Sequence, residues 1–168
     1  MVDSIVQWFT DNLSGVLPKE MIVFIISMLP ILELRGGLIA ASVLKIDLLP
    51  ALLICITGNI LPIPFILLFI TKIFNLLKKT KLFRPIVEKL EKKALSKQDK
   101  IGKYEFWGLL LFVGIPLPGT GAWTGALLAS MLDMKLKKSV PPIFLGILLD
   151  AAIMTIISYV IPWIVKSF

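Results

Sequence analysis

Four apolar stretches, roughly 21–44, 48–71, 104–132 and 140–165, are separated by short polar or basic segments. Each is long enough for the ~20 residues that a membrane-spanning helix needs. The first and third are not uniform. Met21 to Leu29 is an unbroken apolar run, about 13 Å of helix at about 1.5 Å per residue, or about half of a ~30 Å hydrocarbon core. Pro30-Ile-Leu-Glu-Leu-Arg-Gly-Gly37 then interrupts it, and a second apolar piece runs to Leu44. The third stretch has the same plan: Phe106 to Ile115, an interruption at Pro116-Leu-Pro-Gly-Thr-Gly121, and a return from Ala122 to Leu132. Pro and Gly at this density do not fit a regular helix. Non-helical backbone at membrane depth persists only when buried in protein or lining a wet cavity. The pattern therefore predicts an all-α integral membrane protein with two re-entrant helical hairpins, each followed by one transmembrane helix. The alternative is two full but kinked helices.

The two halves align without gaps at a shift of 88 residues: Phe24 on Phe112, Leu29 on Leu117, Pro30 on Pro118, Gly37 on Gly125, Ser42 on Ser130 and Gly58 on Gly146. The Pro and Gly matches carry most of the weight, because apolar matches are common in membrane sequences. One crossing per half inserts the second half upside down, an inverted-topology repeat. This divides 1–168 into an interfacial helix (1–18), repeat one (19–71), a basic linker (72–103) and repeat two (104–168). Within 2–17, Ile5, Trp8, Phe9 and Leu13 fall opposite Asp3, Gln7 and Asp11, as in a helix lying on a membrane surface. In the linker, Arg84-Pro85 suits a helix start, and Ile86, Val87, Leu90, Ala94 and Ile101 form a stripe backed by lysines.

Composition and charge narrow the picture. Hydrophobic residues make up 57% of the chain and mean hydropathy is +0.92, against about 45–50% apolar in soluble domains. A bilayer is the expected solvent. No basic region followed by a cleavage site opens the chain, so no cleaved signal peptide is expected. The net charge is +7, but it is not spread as in a nucleic-acid binder. Eleven of the eighteen basic residues lie between Lys72 and Lys103, and Lys135, Lys137 and Lys138 sit in the next loop. Four full crossings would put these two segments on opposite sides. Re-entrant hairpins put both in the cytoplasm, as the positive-inside rule favours, with both termini outside. Tyr104, Trp107 and Trp163 read as interface anchors.

The chain has no histidine and one cysteine, Cys55. That excludes an internal disulfide, His-ligated metals and Ser–His or Cys–His catalysis. No enzyme, cofactor or metal is expected. Glu33, Arg35 and Asp150 are the ionisable residues inside apolar stretches, where each costs about 2.5–3.5 kcal/mol at a helix centre. Such residues pair, face the bundle interior and mark pathways. Gly36-Gly37 and Thr120-Gly121, the latter with Thr120 as a cap, would open the second half-helices and point free N–H groups at the midplane. With Arg35, whose planar fork suits phosphate or carboxylate, they define a site for an anionic group. Pro118, Gly119 and Trp123 belong to the same tip; Trp123 either stacks on substrate or packs the hairpin. Glu33 and Asp150 are the candidate carboxylates for H⁺ or Na⁺ coupling, with a purely structural, hydrogen-bonded Asp150 as the alternative. Asn59, after Gly58, could bond across helices.

The segments PILELRGGLIAA and GIPLPGTGAWTGALLAS resemble the two signature regions of the putative small multidrug export proteins, a family related to the DedA/VTT membrane proteins. The resemblance covers about 20–165 and is most specific at PLPGTGAWTG. It implies paired re-entrant hairpins, a prokaryotic inner-membrane location, and Glu33, Arg35, Pro118, Gly119 and Gly121 as site residues. The expected function is a secondary transporter, H⁺- or Na⁺-coupled, for a small or lipid-linked anionic substrate. The expected partners are membrane lipids and that substrate, with a homodimer as the expected assembly and no nucleic acid. Two alternatives remain at this stage: a DedA-type lipid-phosphate or phospholipid flippase, and a non-transporting membrane-organising protein.

Overall fold

The computed structural model describes residues 17–80, 84, 85, 88, 92, 105–132 and 134–167. The interfacial helix expected over 2–17, and most of the linker helix after Arg84-Pro85, lie outside them. The described residues form helices and no strand: α1 (Lys19–Met28), α2 (Glu33–Val43), α3 (Leu48–Ile60), α4 (Ile63–Lys78), α5 (Glu105–Gly114), α6 (Ala122–Met131), α7 (Leu136–Thr155), a π-helical turn at Ile156–Val160, and α8 (Ile161–Ser167). Two continuous apolar paths are long enough to cross a bilayer, Leu48–Ile70 and Leu136–Val165. The paired helices α1/α2 and α5/α6 have 10 or 11 residues each. At about 1.5 Å per residue each arm is about 15–17 Å long, half of a bilayer core.

Local chemistry sets these boundaries. Pro30 disfavours helical dihedrals at the residue before it, and α1 ends with Leu29 extended (φ −76°, ψ 138°). At the far end of α2, Ile46 N–H bonds to Ala41 O (2.9 Å) and Lys45 N–H to Ser42 O (3.2 Å), with Lys45 at φ 53°. This is a Schellman closure with lysine in the left-handed position usually given to glycine. The end of α6 repeats the outer bond, Met134 N–H to Ala129 O at 3.0 Å. Leu61-Pro62 breaks the first path between α3 and α4, because a proline there has no N–H to continue the ladder.

Large apolar side chains face outward around the whole bundle: Ile31, Leu49, Phe65, Trp107 and Val165 are all at least 60% exposed. Such a surface suits lipid rather than water. Inside, α1 packs on α2 and α3, α5 on α7 and α6, α4 on α6, and α2 reaches α7. Ile22, Ile26, Leu34, Leu38, Leu109, Val113, Ile143 and Ile147 fill the core.

Two glycine pairs matched at the 88-residue shift, Gly37 with Gly125 and Gly58 with Gly146, have matching surroundings. A Cβ on Gly37 or Gly58 would press on Ser27, and a Cβ on Gly125 or Gly146 would press on Val113. A Cβ on Gly58 would also meet Phe24 O, and one on Gly146 would meet Leu110 O, both at 2.9 Å. Thus Ser27 plays the part of Val113 and Phe24 that of Leu110, a shift of 86 rather than 88. The gap-free register does not extend through the first arms. The second connector, 115–121, is longer than the first, 29–32, and absorbs the difference. The pairing of Pro30 with Pro118 is therefore one of sequence and not of position.

The end of α4, with Lys78, and the start of α7 lie toward one end. Leu67 and Leu68 of α4 share a groove with Leu136 and Val140 of α7, so α4 runs toward the Lys135–Lys138 end. The start of α3 lies at the opposite end, where Asp47 and Leu48 share a pocket with Ser158 and Tyr159.

Candidate functional site

The charged residues meet where the two helix pairs join. Glu33 opens α2 with φ 50°, and its own N–H bonds Leu29 O at 2.9 Å. Its side chain leaves its own helix. Glu33 Oε2 accepts the N–H of Ala122, the first residue of α6, at 2.8 Å. A carboxylate at a helix N-terminus satisfies an orphan donor and meets the positive end of the dipole. Here that carboxylate comes from the other half of the chain. Glu33 is 4% exposed.

Gly121 makes this contact feasible. It caps α6 with φ 134°, a left-handed value that side chains rarely adopt. A Cβ there would strike the Glu33 carboxylate. Thr120, expected as the cap, does something else. Its hydroxyl bonds the carbonyls of Ile115 (2.9 Å) and Leu117 (2.8 Å) within the connector, and it accepts from Arg35 Nη2 (3.3 Å). The cap could not be found from local sequence, because its residue lies 89 positions away.

Arg35, one step along α2 beyond Leu34, reaches the opposite way. Its Nε donates to both oxygens of Asp150 at 3.0 and 3.1 Å. Nη1 donates to Leu117 O (3.0 Å), and Nη2 faces Ile115 O (3.2 Å) and Val113 O (3.3 Å). Those carbonyls end α5 and begin the connector, where the helix dipole is negative, and Ile115 O and Leu117 O accept from the Thr120 hydroxyl as well as from Arg35. Asp150 is 2% exposed and the Arg35 side chain 17%. The ion pair is therefore out of bulk solvent, and removing one partner from such a pair costs about 3–5 kcal/mol. Sequence identified Arg35 and Asp150 but not these carbonyls, which carry no side-chain signal.

Trp123 answers Arg35. Its Nε1 donates to Met28 O, the last residue of α1, at 3.1 Å. Each second arm thus sends one donor from its first turn to the carbonyl end of the other pair's first arm. Gly36 and Gly37 do not open α2; they lie inside it, buried, and Gly37 packs on Ser27 and Cys55. Pro118 and Gly119 lie exposed on the connector, Gly119 with φ 75°. The structure therefore brings Glu33, Arg35, Thr120, Gly121, Trp123 and Asp150 together and leaves Gly36, Gly37, Pro118 and Gly119 at the margins. Beside the Trp123–Met28 contact lies an apolar groove of about 520 Å³, bounded by Leu61, Pro62, Phe65 and Ile66. No cluster of three or more metal-ligating side chains occurs among the described residues.

The junction holds fixed charge away from bulk water. With both carboxylates ionised it carries one positive and two negative groups. Either carboxylate could accept a cation, and Arg35 could accept an anion if Asp150 were neutralised.

Residues 33–153 match the family model described as putative small multi-drug export protein. No curated protein and no solved structure matches the chain.

Proposed function

The chain belongs to the putative small multi-drug export protein family, and from that premise we propose a secondary transporter whose passage lies between two re-entrant hairpins. The observation that carries this reading is the Arg35–Asp150 pair, at 3.0 Å, buried and joining the first helix pair to the last span. A buried charge pair across two halves is costly to keep for packing alone, and intramembrane charges mark transport pathways. Arm lengths near half a bilayer support re-entrance, and the matching glycine contacts support the repeat. An inverted repeat would follow from one crossing per half. The end carrying Lys135–Lys138 then faces the cytoplasm.

In this reading Asp150 is the coupling group. A proton or Na⁺ arriving at Asp150 neutralises its hold on Arg35. The Nε edge of the guanidinium is then free to bind an anionic group, so cation and anion enter together. Glu33 is the second coupling candidate, releasing the α6 N-terminus when it is neutralised. The apolar groove beside Trp123 gives the hydrocarbon part of a lipid-linked anion a place to lie.

The test is uptake into liposomes driven by a pH or Na⁺ gradient, with a panel of organic anions and phosphorylated lipids. Asp150→Asn should bind substrate yet no longer follow the gradient, and Arg35→Lys should lose most uptake. Folded Asp150→Asn protein that still follows the gradient would remove it from coupling. Unchanged uptake of every compound by Arg35→Lys would overturn the anion site. A wild-type phenotype in cells after neutralising all three charges would instead favour a membrane-organising role.

A further inference from the structure

At the end of the bundle opposite Lys135–Lys138, the turn between α2 and α3 is tied to the π-helical turn. Ser42 Oγ donates to Ser158 O (2.7 Å) and Tyr159 Oη to Ile46 O (3.1 Å). Between them is a pocket of about 330 Å³ whose lining includes Lys45, Asp47, Leu48, Ser158, Tyr159 and Trp163. Ser158 is 6% exposed, and its Oγ has no hydrogen-bond partner among the described residues. That is costly for a buried hydroxyl. One turn earlier Thr155 solves the same problem by bonding Ala151 O at 2.7 Å, the usual solution for a helical hydroxyl. Ser158 sits in a π-helical turn, a departure from α geometry that recurs at functional sites.

Two opposite charges line the same pocket as Ser158. Lys45 is held at the rim by the Schellman closure, and Asp47 precedes α3 without a side-chain bond to the helix it caps. No ion pair joins them among the described residues. The pocket lies where one candidate span begins, at Leu48, and the other approaches its end, at Val165. Headgroups lie at that level of a bilayer. Below the rim, Leu49, Leu53, Ile156 and Ile157 are exposed and apolar.

We propose that this pocket binds the headgroup of a zwitterionic phospholipid. The phosphate would meet the Lys45 ammonium and, once the side chain turns out of its buried position, the Ser158 hydroxyl. The headgroup amine would meet the Asp47 carboxylate. The acyl chains would lie along the apolar side of α3 and the π-helical turn, which is why a lipid fits better than a soluble zwitterion. This site is separate from the hairpin junction and does not depend on what is transported.

Native mass spectrometry of the full chain, delipidated in detergent, tests the proposal. The probes are dioleoyl phosphatidylethanolamine, dioleoyl phosphatidylglycerol and soluble glycerophosphoethanolamine. One phosphatidylethanolamine should bind about tenfold more tightly than phosphatidylglycerol, a difference of about 1.4 kcal/mol. Asp47→Asn should erase that preference while keeping phosphatidylglycerol binding. Lys45→Asn, whose new residue suits φ > 0, and Ser158→Ala should weaken both lipids. Equal binding of the two lipids by the wild type overturns the proposal. So does a Ser158→Ala protein that is more heat-stable and binds lipid unchanged, which would make the hydroxyl a packing defect. Equal competition by glycerophosphoethanolamine overturns the lipid assignment. Lys45 and Asp47 are exposed, so their variants fold and report even if Ser158→Ala does not.

Discussion

Truncating Arg35 separates what its ion pair does for stability from what it does for transport. Arg35→Ala leaves Asp150, 2% exposed, with no cation at 3.0 Å, and leaves Leu117 O and Ile115 O without their guanidinium donor. Breaking a buried pair costs about 3–5 kcal/mol. For a domain of this size about 1 kcal/mol moves Tm by about 2–4 °C, so the variant should melt about 6–20 °C lower. The double variant Arg35→Met, Asp150→Leu removes both charges and restores apolar volume. It should recover at least half of that loss, because replacing a buried ion pair by well-packed apolar residues is often neutral or better. Full recovery is not expected, since the carbonyls ending α5 still lose their donor. Tryptophan fluorescence during thermal unfolding in detergent measures all three proteins. If Arg35→Ala shifts Tm by less than about 2 °C, or the double variant is no more stable than the single, the pair is not the buried, mutually dependent contact described above. Transport by the recovered double variant would show that the pair serves packing alone.

Two further outcomes test the junction. Gly121→Ala places a side chain at φ 134° and onto the Glu33 carboxylate, so it should cost at least about 2 kcal/mol by the same melting assay, at the upper end of backbone strain. A neutral result would mean the tips can separate freely. Cysteines introduced at Ile31 and Leu117, both exposed, should label in vesicles from opposite sides if the hairpins are re-entrant; the native Cys55 is buried and gives little background. Labelling of both from one side refutes the opposed arrangement.

Much of the architecture could be read from periodic features. The half-length arms follow from Pro30 and from the Pro116–Gly121 run, since proline and glycine act on backbone within a residue or two. The lone charges in apolar stretches were visible because burial makes them expensive. Two things were not legible. The start of α2 at Glu33, and not at Gly36-Gly37, depends on Glu33 adopting φ 50°, and nothing local favours that. Its stabilisation comes from Ala122, 89 residues on. The two-residue slip between first arms was hidden because Leu, Ile, Val and Phe substitute for one another along lipid-facing helices, so no residue fixed the register before Gly37.

The chemistry of the two tips is unequal in a way that bears on mechanism. At the 88-residue shift Glu33 corresponds to Gly121 and Arg35 to Trp123. The first pair is one contact: the carboxylate needs the space that a missing Cβ leaves, so an acidic residue at both positions would collide and glycine at both would leave the α6 N-terminus uncapped. The second pair makes the same reach, each donor going to the carbonyl end of the opposite first arm, but one donor is charged and the other neutral. Of these two donors only Arg35 is charged and paired through its side chain with a carboxylate, Asp150, whereas Glu33 meets the backbone beside Trp123. Trp123–Met28 is a neutral hydrogen bond, while Arg35–Asp150 is an ion pair, which under the proposed coupling a cation would release. In a transporter built this way, opening would begin at the Arg35 side, and Trp123→Phe should weaken the protein by about 0.5–1.5 kcal/mol, the worth of one hydrogen bond, without changing which ion drives uptake. A change of coupling ion in that variant would show that the two contacts do not divide the work as argued.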